Sequence, residues 1–113
     1  MHEMSLAEGV LQLIEDAAQQ QGFAAVRTVW VEIGQLSGVE PEAMAFCFDA
    51  VSRGTLLEGA RLEIVHVAGS GHCYECGRDT ELQAVYDACT HCGAVPVHIT
   101  GGTEMRVKEL EVD

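Results

Sequence analysis

The sequence predicts an α+β protein in which a three-stranded sheet carries two helices and a small four-cysteine, zinc-ribbon-like domain is inserted before the last strand. Three observations support this fold class: two apolar stripes at helical spacing, three segments that alternate as strands do, and two C-x-x-C pairs between the second and third of those segments. With 113 residues, 48% of them hydrophobic, the chain has the size of one compact domain with one insert.

The first helix is predicted over residues 5–21. Ser5 and Glu8 form an S-x-x-E capping box, which is typical of a helix start. The apolar stripe that follows has helical spacing. Gly22 comes directly after it and is the residue type that most often ends a helix. This start leaves residues 1–4 ahead of the helix.

A half-buried strand is predicted over residues 27–34, because Val29, Val31 and Ile33 alternate with residues of the opposite face. Pro41 suits the first turn of a second helix, which is predicted to run to about residue 53. The apolar stripe of this helix consists of Met44, Cys47, Phe48 and Val51. Cys47 lies within that stripe and is therefore expected to be a core residue and not a reactive one.

Two more strands are predicted over residues 61–67 and 103–112. Between them, the glycine-bearing segment 68–72 (AGSGH) is interpreted as a flexible connection to the cysteine-containing insert. The expected division is one domain of residues 1–69 plus 98–113 and an insert of residues 70–97.

The insert carries four cysteines with the spacing of a structural zinc site. Cys73 and Cys76 form one C-x-x-C pair, and Cys89 and Cys92 form the other. Four thiolates are a typical ligand set for tetrahedral Zn(II), and such a site is closed, so it is structural and not catalytic. A glycine follows each pair, where positive φ lets backbone N–H groups turn toward the sulfurs. A rubredoxin-type iron centre uses the same ligands, and the spacing leaves that alternative open.

The charge of the chain argues against two other functions. Its formal net charge is -12, which disfavours nucleic acid and anionic membranes as partners. A zinc-ribbon adaptor of transcription or RNA handling is the main alternative class, but Arg78 is the only Lys or Arg between Cys73 and Cys92. A thiol redox protein is a third class, and it requires cysteine pairs that are free of metal.

The first residues do not have the pattern of a signal peptide, and this predicts where the protein is located. Residues 1–8 contain acids where a signal peptide has a basic region, and no long apolar run follows. We therefore expect a cytoplasmic protein. Five cysteines in a reducing compartment favour metal binding over disulfides.

The opening Met1-His2-Glu3 is a second candidate metal site. The His2 imidazole, a backbone amide nitrogen and the terminal amine can close small chelate rings, and a nitrogen-rich set suits Ni(II) or Cu(II). The alternative is a solvated histidine that binds no metal ion. The other four histidines are weaker candidates. His66 is expected to be a strand-face residue, and His98 is expected to be exposed. His72 and His91 are expected to lie beside the cysteine site or in solvent, although either could replace a thiolate if a cysteine were protonated.

Three features together resemble the HypA/HybF family of hydrogenase maturation proteins. They are the opening MHEMSLAEGV, the block AFCFDAVSRGTLLEGARLEI, and the paired C-x-x-C insert before a closing strand. The resemblance covers essentially the whole chain. It implies an α/β nickel-binding domain with an inserted zinc domain, Ni(II) at His2 with the Glu3 backbone nitrogen as a further donor, and zinc at the four insert cysteines.

The same resemblance implies a function. A protein of this kind is a nickel metallochaperone and not an enzyme. It is expected to work with a nickel-handling GTPase to load Ni(II) into the large subunit of [NiFe]-hydrogenase, and whether it also supplies a urease stays open.

Overall fold

The computed structural model describes residues 2–113. Its elements, in chain order, are α1 (His2–Gln21), β1 (Val26–Gly34), α2 (Pro41–Ser52), β2 (Arg61–Val67), β3 (Gly69–His72), β4 (Asp79–Leu82), β5 (His98–Gly101) and β6 (Met105–Val112). They fold into two compact units. The helical unit comprises residues up to Val31, Val39–Ile64 and Val107–Asp113, and the cysteine unit comprises Glu32–Gly38 and Val65–Arg106. Within residues 2–113, no helix is both long enough and apolar enough to cross a membrane.

The predicted fold class is confirmed. One sheet has the strand order β2-β1-β6, so the first strand in sequence is central. Both helices lie in the helical unit and pack against each other. The buried residues of α1 are Glu3, Ala7, Val10 and Ile14, and those of α2 are Met44, Cys47, Phe48 and Ser52. Cys47 is 1% exposed, which confirms the prediction that it belongs to the core.

The predicted start of α1 is wrong. The helix begins at His2, and Ser5 is an exposed residue of its first turns and not a cap. A long-range contact supports the earlier start, because the Glu3 carboxylate accepts a hydrogen bond from the Glu40 backbone N–H. The predicted end is confirmed: Gly22 has a φ of 79°, and its N–H donates to the Ala18 carbonyl at 2.8 Å.

The cysteine unit holds a second three-stranded sheet, with the order β4-β3-β5, which the sequence pattern did not predict. The interpretation of residues 68–72 as a flexible connection is wrong, because residues 69–72 form the central strand of this sheet. Gly69 and Gly71 are buried. A Cβ on Gly71 would lie 2.5 Å from Val97 Cγ1, so glycine here permits close packing and does not provide a hinge.

Gly102 combines a left-handed backbone conformation with a close backbone neighbour, so we expect an added methyl group to be costly there. Its φ is +80°, and a Cβ would lie 2.5 Å from the Ala68 carbonyl oxygen and 2.7 Å from Gly69 Cα. Gly102→Ala should therefore lower the free energy of unfolding by about 2–4 kcal/mol through backbone strain and overlap. Gly9→Ala is the matched control, because nothing lies within 4 Å of a Cβ there and helical alanine should stabilise by about 0.5–1 kcal/mol. Urea unfolding curves measure both, and equal stabilities would contradict this account of Gly102.

Candidate metal centre

Each C-x-x-C pair forms the same tight turn. The Gly77 N–H donates to the Cys73 carbonyl at 2.8 Å, and the Gly93 N–H donates to the Cys89 carbonyl at 2.9 Å. A second bond closes each turn, from the N–H of the first cysteine to the carbonyl five residues later, at 2.9 Å and 3.0 Å. Both glycines have positive φ, 75° and 77°, as the sequence predicted. The two pairs are therefore two copies of one local structure.

The two turns bring all four sulfur atoms together. The Sγ atoms of Cys73 and Cys92 lie 3.6 Å apart, and those of Cys76 and Cys89 lie 3.8 Å apart. All four Sγ atoms lie within 4.8 Å of one another. A disulfide needs about 2.05 Å, and all five cysteines are free. Zn–S bonds of about 2.3 Å in tetrahedral geometry give S···S edges of about 3.8 Å. The donor set therefore fits a tetrahedral metal ion held by four thiolates.

Two of these cysteines also belong to a small core. Cys73 and Cys89 are buried and cluster with Leu82 and Val97. Three partly buried residues complete the cluster: Leu36, Ala94 and Ile99. Cys76 and Cys92 are exposed. A core of this size gives little stability alone, so an ion that joins the two turns would contribute much of the folding energy of the insert.

The thiols of the cluster differ in acidity. Burial disfavours the thiolate of Cys89, but backbone N–H groups and neighbouring thiols outweigh burial and lower the pKa of Cys89 to about 6. The Ala94 N–H favours the thiolate of Cys92, but the Cys73 thiol, burial and the other cysteines raise the pKa of Cys92 to about 12. Four adjacent sulfurs cannot all become anions without a compensating charge. A divalent cation bound there would supply that charge.

Histidine does not enter the cluster. Among residues 2–113, the four cysteines are the one group of three or more His, Cys, Asp and Glu side chains whose ligand atoms all lie within 4.8 Å of one another. The His91 ring contacts the Asp79 carbonyl through Nε2 at 3.1 Å, and its backbone N–H donates to Cys89 Sγ at 3.4 Å. The expectation that His91 lies beside the site without ligating agrees with these contacts.

The amino-terminal candidate belongs to the helical unit. The His2 side chain is 56% exposed, and its Nδ1 lies 3.7 Å from Glu3 Oε1. Glu3 itself is buried, and its Oε2 accepts from the Glu40 N–H at 3.2 Å. That hydrogen bond is the main cause that lowers the pKa of Glu3, against the opposing effect of burial. Glu3 is therefore held as a carboxylate beside an accessible imidazole. Met1, with its amine, lies outside the described residues.

Comparison with known proteins identifies the family. Residues 1–112 match the family described as "Hydrogenase/urease nickel incorporation, metallochaperone, hypA". The chain belongs to the HypA family. The hydrogenase maturation factor HypA of Albidiferax ferrireducens is 62% identical over 113 residues, with both chains fully covered. The factor of the same name from Rhodopseudomonas palustris is 58% identical, again over both full chains.

Solved HypA structures resemble this one. The solution structure of the Ni metallochaperone HypA from Helicobacter pylori aligns with a TM-score of 0.70 at 29% identity, and covers 99% of this chain and 97% of that one. A second HypA solution structure gives the same TM-score at 28% identity, and covers 99% and 96%. The family resemblance predicted from the sequence is confirmed. The chain is a member of a metallochaperone family for hydrogenase maturation and not an enzyme.

The sequence analysis identified His2 and the four insert cysteines as candidates, but it did not predict the contact that fixes the first turn of α1. Glu3 and Glu40 are 37 residues apart, and their hydrogen bond depends on how α1 and the start of α2 meet. The available local signal was Glu40 itself, which precedes Pro41 and caps α2 by accepting from the Glu42 N–H at 3.0 Å. The presence of a glutamate at position 40 does not predict that its backbone N–H donates a hydrogen bond to the Glu3 carboxylate.

Proposed function

We propose that this chain binds Ni(II) at its amino terminus through His2 and helps to insert it into the large subunit of [NiFe]-hydrogenase. The observation that carries this proposal is an exposed imidazole in the first turn of α1, beside a buried carboxylate that is itself fixed by a backbone N–H. Membership of a nickel-incorporation family supports nickel as the cargo. The curated relatives are named hydrogenase maturation factors, which supports hydrogenase as the destination.

An accessible site suits a metal that must leave again. His2 is more than half exposed, so an acceptor protein can reach the imidazole without unfolding the carrier. The imidazole and adjacent backbone nitrogens, including that of Glu3, form a nitrogen-rich set that Ni(II) prefers. The negative charge of Glu3 lies close enough to favour a cation at this position. Exchange should therefore be faster here than from a closed site.

We propose that Cys73, Cys76, Cys89 and Cys92 hold a structural Zn(II). The sulfur spacing suits a tetrahedral ion, and four protein ligands leave no open coordination position. Zinc bound there would supply charge compensation for the thiolates and join the two turns. The proposed functional division keeps the sequence boundaries, with a nickel-binding domain of residues 1–69 plus 98–113 and a zinc-binding insert of residues 70–97.

The proposed partners are a nickel-handling GTPase and the hydrogenase large subunit, in the cytoplasm. Nucleic acid is not among them, because a net charge of -12 repels a phosphate backbone. The zinc-bearing insert would orient one of these protein partners.

Metal stoichiometry on untagged protein tests the proposal. After dialysis without added metal, we expect one tightly held zinc per chain and no iron, because a four-thiolate site releases its ion slowly. Added Ni(II) should then bind without displacing that zinc. Protein that keeps its zinc and ignores Ni(II) would contradict the delivery function. Protein isolated with iron in the cluster would contradict the zinc assignment alone.

A further inference from the structure

The small sheet of the cysteine unit has one buried face and one exposed face. On β4, Thr80 and Leu82 are buried, while Asp79 and Glu81 are exposed. The side chain of Cys73, the residue after β3, is fully buried, so the preceding residue, His72, lies on the opposite side of the strand. The exposed face therefore belongs to a different surface from the sulfur cluster.

Three side chains of metal-binding types, two histidines and one aspartate, form one row across this exposed face. His72 on the central strand is the register partner of Asp79 on β4 and of His98 on β5. Directly opposed residues of antiparallel strands point to the same face, with Cβ atoms about 4.5–5.5 Å apart. The row Asp79–His72–His98 thus brings two imidazoles and one carboxylate together at the end of the sheet.

Asp79 determines which ring nitrogen of His72 donates a hydrogen bond. The His72 Nδ1 lies 2.8 Å from Asp79 Oδ1. An ionised carboxylate only accepts hydrogen bonds, so Nδ1 is the donor in this contact and Nε2 is the ring nitrogen that could ligate a metal ion. A histidine that donates one ring N–H to a carboxylate while the other nitrogen is free has the arrangement of metal-ligating histidines. The His72 side chain is 31% exposed, so that nitrogen is within reach of solvent ions.

The Tyr74 ring lies beside the rings of both His72 and His98. It lies 4.8 Å from the His72 ring, edge to face, and 5.9 Å from the His98 ring, measured between centroids. His98 is exposed and Tyr74 is 77% exposed, so both side chains can reorient at little steric cost. Rotation of the two imidazoles toward each other would place two nitrogen donors on one ion, with water filling the other positions.

We propose that His72 and His98 form a second metal site on the cysteine unit, which takes a divalent ion of the kind that imidazole prefers, such as Ni(II), Cu(II) or Zn(II). Asp79 orients His72 and adds negative charge without being required as a ligand. Two protein ligands make the site weaker and faster to exchange than the four-sulfur cluster. The residues of this site lie in the cysteine unit, whereas His2 lies in the helical unit.

Calorimetric titration with Ni(II) ions in the His2→Ala background tests this proposal. The protein is loaded with zinc beforehand so that the sulfur cluster is closed. We expect one weak nickel equivalent to remain, to be lost on His98→Gln or His72→Gln, and to survive His66→Gln. His66 is the matched control, an exposed strand histidine whose Nε2 contacts Gln35 Oε1 at 2.8 Å. Survival of the equivalent in His98→Gln, or its absence from the His2→Ala parent, would overturn the proposal.

A second measurement needs no substitution in the pair. Substoichiometric Cu(II) added to the zinc-loaded His2→Ala protein should broaden the NMR ring signals of His72 and His98 before those of His66, because a paramagnetic ion acts on its nearest protons. Broadening of all three rings together would refute the site. A separate comparison tests the His2 site. If His2 is not a nickel ligand, the tightly bound equivalent of Ni(II) will be the same in His2→Ala as in the unsubstituted protein.

Discussion

Substitution of His2 by alanine is expected to remove tight nickel binding and hydrogenase maturation while zinc content and fold are retained. The imidazole is the one side-chain nitrogen donor of the proposed amino-terminal site, and its loss leaves backbone nitrogens alone. Loss of groups that only orient a ligand typically costs about 10–100-fold in metal affinity, so loss of the ligand itself should exceed about 100-fold. The fold should persist because His2 is 56% exposed and lies in the first turn of α1.

The measurements are nickel titration of purified protein and hydrogenase activity of cells that carry the variant as their sole copy. His66→Ala is the control, since it removes an exposed imidazole from β2 and should leave both readouts unchanged. Nickel must displace protons from nitrogen donors, so affinity of the unsubstituted protein should fall as pH is lowered. Unchanged nickel affinity in His2→Ala would end the assignment of His2 as the nickel ligand.

The cysteine cluster could be predicted from the sequence because its geometry is local. Each pair needs only a tight turn, and Gly77 and Gly93 reveal that turn by following the second cysteine. Strand β1 could be predicted equally well from the sequence, because the buried residues Val29, Val31 and Ile33 alternate with residues of the other face. In both cases the information lies within a few consecutive residues.

The errors arose where a tertiary contact decided the outcome. The capping box at Ser5 is a valid local signal, but the burial of Glu3 against the Glu40 N–H accompanies a helix that starts at His2. Gly69 and Gly71 have the composition of a flexible segment, yet their missing side chains allow close approach within a sheet. A glycine that permits a turn and one that permits packing cannot be distinguished without knowing what lies opposite.

Loss of one cluster cysteine should have the largest structural effect. In Cys73→Ala we expect zinc to be lost and the cysteine unit to unfold, because the free energy of binding structural zinc, about 10–16 kcal/mol in zinc-finger peptides, is folding energy. That amount is comparable with the whole stability of a typical domain, about 5–15 kcal/mol. Cys73 is also fully buried beside Leu82 and Val97, so the substitution removes a core contact as well as a ligand.

Cys47→Ala separates these two effects. Cys47 is just as buried, 1% exposed, but it lies in α2 and outside the cluster. Its substitution should cost on the order of 1–2 kcal/mol for a small cavity and leave zinc bound. Zinc content together with amide hydrogen exchange distinguishes the variants, because Cys73→Ala should lose protection in β3, β4 and β5 while α1 and α2 keep theirs. If Cys73→Ala retained both its zinc and its exchange protection, the cluster would not be what holds the insert together, and the small apolar core would have to account for its stability.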